Sequence, residues 1–186
     1  MGRSIQDRMM GFLIAAEECS SSQELSRRFH GLVADLGVGS SSAVALVGAD
    51  SQFDVSFGEI SQKWAIHYMR ENFSRHDPVF KNIKLRGTSG YWDEHLKDAR
   101  ILRQGERVMS EARDFGFTDG YTRLIRAENG SVFLLCLHGD KLDRSPEARA
   151  LFRTAGTVFV EEGSKLMSAV RRRSMLAGLT PRQMEI

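Results

Sequence analysis

Four side chains in one stretch of the chain could together bind a small polar ligand. Trp64 and Tyr68 are four residues apart, so a helix would present an indole N–H and a phenol O–H side by side. Asp77 precedes Pro78, the pattern of a helix N-cap followed by proline at the first helical position. If this second helix folds back on the first, the Asp77 carboxylate and three aromatic rings, including Trp92, converge. The pattern predicts a ligand pocket.

Each of these residues also has a structural explanation. A single buried tryptophan or tyrosine is explained by packing alone, because aromatic side chains bury large areas. Asp77 could serve only as a helix cap. The four side chains taken together favour a site over separate structural roles.

Composition suggests one soluble domain with a short extra piece. The chain has 186 residues, 41% of them hydrophobic and 27% charged, and a net charge of +2 that gives no general polyanion signal. The N-terminal apolar run is too short for a membrane span and lacks a signal-peptide pattern. Cys19 and Cys136 follow no metal or redox spacing. We therefore expect a cytoplasmic protein with reduced thiols and no membrane association.

Hydrophobic periodicity predicts helices alternating with two β-hairpins. Helical patterns cover 4–19, 21–37, 61–73, 96–115 and 145–174, and strand patterns cover 42–48, 52–58, 119–128 and 131–138. Asn129-Gly130 predicts a tight turn with both residues at positive φ, and residues 85–92 are expected to form a loop over the pocket. The predicted fold is α+β, an α-β-α sandwich with a central antiparallel sheet covered by helices on both faces.

Enzymatic chemistry finds little support in the residues. The five histidines show no metal-ligand spacing, and there is no phosphate loop or nucleophile elbow. Cys136 and His138 alternate on one strand and would share a face, so a Cys–His nucleophile pair is conceivable. Neighbours inside a core explain them better. We expect no enzyme activity, no metal and no cofactor.

The C-terminal residues predict the start of another domain. Thr180, Pro181 and Gln183 form a capping-box pattern that begins a helix. A helix of two turns is too short to be stable alone. We therefore divide the chain into a domain at 1–174 and, at 175–186, a linker with the beginning of a second domain. The basic run 171–173 could contact DNA phosphates in a longer protein or form a solvated linker.

The whole chain resembles the LuxR-type quorum-sensing transcription factors, covering their N-terminal autoinducer-binding domain and the first residues of their helix-turn-helix domain. The resemblance rests on five motifs in register. These are the Trp-x3-Tyr pair, Asp77-Pro78, Trp92, the Phe115–Gly120 stretch and the Leu-Thr-Pro-Arg-Gln-x-Glu-Ile tail.

The resemblance implies a role for each site residue. Trp64 would donate a hydrogen bond to the lactone carbonyl of an N-acyl-homoserine lactone, and Asp77 would accept one from the ligand amide. Tyr68 and Trp92 would form walls around the lactone. A buried carboxylate needs a donor to offset its desolvation, and a bound ligand supplies one.

Two positions depart from the family pattern. Ile60 stands where the family usually has a tyrosine that bonds the acyl carbonyl, and Cys136 stands where serine or threonine is common. Loss of one buried hydrogen bond typically costs about 0.5–1.5 kcal/mol. We therefore expect Ile60 and Cys136 to belong to the ligand site, and the site to differ from the family pattern near the acyl carbonyl. A different acyl or aryl ligand is the alternative to an ordinary acyl-homoserine lactone.

The resemblance implies a ligand-sensing domain that controls dimerisation and DNA binding of a full-length regulator. DNA would be contacted only through the C-terminal domain, and the long last helix suggests a homodimer. The alternative is a truncated or ligand-independent family member that forms inactive heterodimers with a full-length regulator.

Overall fold

The computed structural model describes residues 4–48, 52–59, 61–97 and 101–177. Two of the sequence predictions fall outside these ranges: the role of Ile60, and the helix start at 180–183. The boundary between the predicted domains at residue 175 lies at the edge of the described region.

The described chain contains helices and strands in the order expected for an α+β protein. The helices are α1 (Ile5–Glu17), α2 (Ser22–Val33), α3 (Gln62–Arg70), α4 (Pro78–Arg86), α5 (Trp92–Leu96), α6 (Arg103–Asp114) and α7 (Pro146–Ala177). The strands are β1 (Ser40–Val47), β2 (Gln52–Glu59), β3 (Gly90–Tyr91), β4 (Asp119–Arg126) and β5 (Val132–Gly139).

The strands form one antiparallel sheet in the order β2-β1-β5-β4-β3. Because side chains alternate along a strand, each face of the sheet builds its own core. One core joins the sheet to α1, α2 and α7, where the Phe29 and Phe159 rings stack with centroids 4.2 Å apart. The other core joins Leu134 of β5 to α3, α4 and α6. The predicted sandwich with helices on both faces is confirmed.

Two local predictions are wrong in detail. The segment 85–92, expected to be a loop, instead contains the end of α4 and the short strand β3, in which Tyr91 pairs with Tyr121 of β4. The helix expected over 96–115 is not continuous: Leu96 is the last residue of α5, and α6 begins only at Arg103. Tyr91 is fully buried, and its hydroxyl donates to the Asp143 carbonyl at 2.7 Å. A contact this distant in sequence leaves no local pattern.

The hairpin between β4 and β5 is present, but its turn differs from the prediction. Gly130 has a φ of +83°, whereas Asn129 is not in the left-handed region. The Gly130 N–H donates to the Ala127 carbonyl, and the Ala127 N–H donates to the Ser131 carbonyl, both at 2.8 Å. This is a three-residue loop closed by a left-handed glycine. The Asn129 carboxamide oxygen accepts from the Ser131 N–H at 3.0 Å instead of lining a two-residue turn.

Candidate functional site

A cavity of about 220 Å³ lies between the sheet and the helices α3, α4 and α6. Five of the six predicted site residues line it: Trp64, Tyr68, Asp77, Trp92 and Cys136. The sixth, Ile60, lies outside the described residues. Residues separated by more than 70 positions in the sequence therefore line one cavity, while the ligand roles given to them remain predictions.

Asp77 caps α4 with one carboxylate oxygen and faces the site with the other. Its Oδ1 accepts from the backbone N–H groups of Val79 at 2.8 Å and Phe80 at 3.0 Å. Its Oδ2 accepts from the Tyr68 hydroxyl at 2.8 Å. A carboxylate has about four acceptor positions, so one is still open. Asp77 is thus both a cap and a candidate ligand acceptor.

Burial controls the protonation of this pair. Desolvation raises the pKa of the Asp77 carboxyl, and the three hydrogen bonds to the charged form oppose that rise. Desolvation also raises the pKa of Tyr68 well above its ordinary value, and the nearby Asp77 charge and their hydrogen bond add to the rise. The Tyr68 hydroxyl therefore stays protonated and donates a hydrogen bond to Asp77. The Tyr68 ring lines the cavity, and its centroid is 5.8 Å from that of Phe53 and 5.5 Å from that of the Trp64 indole.

Trp64 presents an unused hydrogen-bond donor. Its indole is 8% exposed and packs among the rings of Tyr68, Phe73, Phe115 and Phe117, with centroids 5.3–6.3 Å away. No side chain or carbonyl in the described ranges accepts a hydrogen bond from the indole N–H. The aromatic cluster holds the ring in place, and the N–H is available to a ligand.

Trp92 forms a wall whose own N–H is already engaged. Its Nε1 donates to the Thr122 hydroxyl on β4 at 3.3 Å. The indole lies directly against Gly120, where an added Cβ would overlap the ring. The absence of a side chain at residue 120 thus lets the indole pack directly against strand β4.

Cys136 lies between two hydroxyl-bearing neighbours on the floor of the cavity. It opposes Ser42 of β1 on one side and Thr122 of β4 on the other. The Cys136 thiol is a weak donor, 3.9 Å from the Leu134 carbonyl. The adjacent strands therefore bring hydroxyl groups close to the position where the sequence lacks one.

The electrostatics do not favour a Cys–His nucleophile pair. Burial raises the pKa of Cys136 to about 12 and lowers the pKa of His138 to about 4. Both groups are neutral near pH 7, whereas a reactive pair needs a thiolate. Within the described part of the chain, no cluster of three or more metal-ligating side chains could hold a metal ion.

Sequence reasoning missed several residues that line the cavity. His138 was considered only as a partner of Cys136, and Ser42 and Phe80 were given no site role. Phe80 lies on α4, three residues after the N-cap Asp77, and its ring centroid is 5.0 Å from that of Phe53. The alternation of the β1 and β5 residues could have placed Ser42 and His138 on the same sheet face.

No helix in the described ranges is long and apolar enough to cross a membrane. This finding concerns helices only.

The chain matches a family model described as an autoinducer binding domain over residues 21–162. It is 27% identical over 186 residues to the quorum sensing-dependent transcriptional regulator RpaR of Rhodopseudomonas palustris. That alignment covers 96% of this chain and 73% of RpaR.

Two solved structures share the fold. The LuxR family factor CepR2 of Burkholderia cenocepacia superposes with a TM-score of 0.66 at 12% identity, covering 86% of this chain and 93% of that chain. SdiA in complex with octanoyl-rac-glycerol superposes with a TM-score of 0.68 at 14% identity, covering 92% of this chain and 69% of SdiA.

Proposed function

Because the chain belongs to the autoinducer-binding domain family of LuxR-type regulators, we propose that its cavity binds an N-acyl-homoserine lactone or a closely related acyl amide. One observation carries the proposal: Asp77, with its open acceptor position, and Trp64, with its unused N–H, line the same cavity. An amide N–H and a carbonyl oxygen are the groups that would complete these two hydrogen bonds.

The polarity of the cavity supports an amphipathic ligand. Asp77, Tyr68 and Thr122 supply polar groups to the lining, while Val44, Leu134 and phenylalanine rings supply apolar surface. An acyl chain suits the apolar side because its burial removes hydrocarbon from water. The volume of about 220 Å³ lies below the roughly 300–1,000 Å³ usual for drug-sized ligands, which favours a short or compact acyl group.

The two structural neighbours support this class of ligand. CepR2 is described as N-acylhomoserine lactone dependent, and SdiA is in complex with octanoyl-rac-glycerol. Both of these ligands, the acyl-homoserine lactone and the octanoyl glycerol, join an acyl chain to a small head group that contains several oxygen atoms. These facts concern the neighbours and support the proposal for this chain by analogy of fold.

The proposal is tested by thermal denaturation with butanoyl-, hexanoyl-, octanoyl- and dodecanoyl-homoserine lactones. A ligand at 100 times its Kd should stabilise the wild type by about 2.7 kcal/mol. Asp77→Asn is the matched variant, since asparagine still caps a helix but replaces one carboxylate oxygen with an amide donor. We expect a raised Tm for the wild type with the shorter lactones and little or none for Asp77→Asn. No shift with any of the lactones would contradict the proposal.

We further propose that the domain works as a homodimer in the cytoplasm and regulates transcription through a C-terminal DNA-binding domain. The relatives are transcriptional regulators by name, and the RpaR alignment covers 73% of that protein. On this proposal the cavity only binds its signal, so the domain carries out no catalysis and needs no cofactor. Formation of inactive heterodimers with a full-length regulator stays a prediction, which co-purification of differently tagged chains would test.

A further inference from the structure

His138 lies on the cavity face of the sheet and lines the same cavity as Asp77, the N-cap of α4. In the antiparallel ladder it opposes Ser40 of β1 and Gly120 of β4. Its ring contacts the Trp92 indole and the Phe117 ring, each with a centroid separation of 5.2 Å. The imidazole therefore packs against Trp92, one of the aromatic residues that line the proposed ligand site.

The ring nitrogens of His138 have no hydrogen-bond partner anywhere in the described ranges. Two other polar groups of the cavity already have protein partners: the Tyr68 hydroxyl donates to Asp77, and the Trp92 N–H donates to Thr122. A neutral imidazole carries one donor and one acceptor, and leaving either unpaired in a buried site costs stability. An apolar ring would fill the same space without that cost. The His138 nitrogens are therefore available to a group that enters the cavity.

We propose that His138 is a specificity-determining residue that hydrogen-bonds the uncharged, oxygen-bearing head of the bound acyl ligand from the sheet side. The inference rests on the proposed function and adds a contact from the sheet to those proposed for Asp77 and Trp64. The imidazole N–H donates to a carbonyl or ring oxygen of the head, and a hydroxyl on the head would also satisfy the second nitrogen.

The surrounding charges explain why the head must be uncharged. Asp77 already places a carboxylate at the cavity, and an anionic head would meet its repulsion. Burial also lowers the pKa of His138, so at neutral pH the ring offers no positive charge to offset an anion. A neutral ester or lactone avoids both penalties.

Calorimetric titration with N-hexanoyl-homoserine lactone tests the assignment on the wild type, His138→Phe and His138→Gln. Phenylalanine keeps a ring against Trp92 and Phe117 but has no nitrogens, whereas glutamine keeps a donor and an acceptor. We expect His138→Phe to lose affinity roughly 3- to 10-fold, as for one lost hydrogen bond, and His138→Gln to lose less. The ligand-free His138→Phe protein should melt no lower than the wild type, because an unpaired buried polar group has been removed.

Two results would overturn the inference. One is equal affinity of His138→Phe and wild type, which would show that the nitrogens do not contact the ligand. The other is a ligand-free Tm for His138→Phe several degrees below that of the wild type, which would give His138 a structural role. A wild type that binds no lactone would instead overturn the proposed function, and the ligand-free Tm comparison would still decide the role of His138.

Discussion

Asp77 shows how one side chain can serve the fold and the site together. Its two oxygens point to different partners: Oδ1 to the first backbone N–H groups of α4 and Oδ2 to the Tyr68 hydroxyl. These three hydrogen bonds stabilise the charged form against a desolvation that favours the neutral one. A buried carboxylate held in this way is ready to accept one more donor without rearranging the helix end.

The pH dependence of stability should report the buried histidine. The pKa of His138 is about 4 in the folded protein and about 6.5 in an unfolded chain. Between these values the unfolded state binds more protons, so stability that is present above pH 6.5 is lost as the pH falls towards 4. His95, whose pKa burial also lowers, acts in the same direction, whereas the raised pKa of Asp77 acts in the opposite one.

Urea denaturation of wild type and His138→Phe at pH 7 and pH 4.5 isolates this contribution. The wild type should lose about 1–3 kcal/mol more than the variant between the two pH values, because only the wild type must protonate His138 on unfolding. Equal losses for the two proteins would contradict a lowered pKa for His138. The comparison cancels the effects of His95 and Asp77, which both proteins retain.

At the scale of the elements, the site depends on how closely α5 approaches β4. Trp92 is the first residue of α5, and its indole lies on Gly120 of β4 while donating to Thr122. The short strand β3 immediately before it pairs with β4 through Gly90 and Tyr91 and so fixes where α5 begins. The pairing of β3 with β4 and the lack of a side chain at Gly120 therefore determine where the Trp92 indole borders the cavity.

Gly120→Ala should displace the Trp92 indole, because the added methyl group would overlap it. Overpacking of this kind typically costs about 1–3 kcal/mol. We expect that loss in the free energy of unfolding, together with a changed tryptophan fluorescence and weaker lactone binding. Gly31→Ala is the matched control: Gly31 lies in α2 with open space around it, and alanine there should stabilise the helix by roughly 0.5–1 kcal/mol. Unchanged stability and fluorescence in Gly120→Ala would contradict the described packing.

At the scale of the whole molecule, the sheet separates the half that contains the cavity from a second half in which α1 and α7 carry exposed apolar side chains. The cavity belongs to the core with α3, α4 and α6, while α1 and α7 pack against each other on the opposite face. Met10 and Ile14 of α1 and Val170 of α7 are 55%, 63% and 63% exposed. These exposed apolar side chains on two packed helices are candidates for burial against a second copy of the chain.

Sedimentation of the wild type and of the double variant Ile14→Glu, Val170→Glu tests the proposed homodimer. We expect the wild type to sediment as a dimer and the double variant as a monomer, because a buried charge without a partner opposes association. Leu85→Glu is the control, since Leu85 is 84% exposed on α4 in the other half of the molecule. A wild type that is monomeric with and without lactone, or a double variant that still dimerises, would contradict this interface.

The sequence by itself determined the features that depend on neighbours along the chain. The spacing of Trp64 and Tyr68, the cap at Asp77-Pro78 and the two long hairpins are local patterns, and together they predict the sandwich and a ligand pocket. Local hydrogen bonds and side-chain periodicity act over a few residues, so these features can be read directly.

Only the tertiary structure decided which side chains meet inside the cavity. Strand β3 exists because Tyr91 pairs with Tyr121, thirty positions later, and α5 begins directly after that strand. His138 reaches the Trp92 wall only because β5 lies between β1 and β4 in the sheet. These contacts depend on strand pairing between distant segments, and a periodic pattern shows which face a residue occupies but not what it faces.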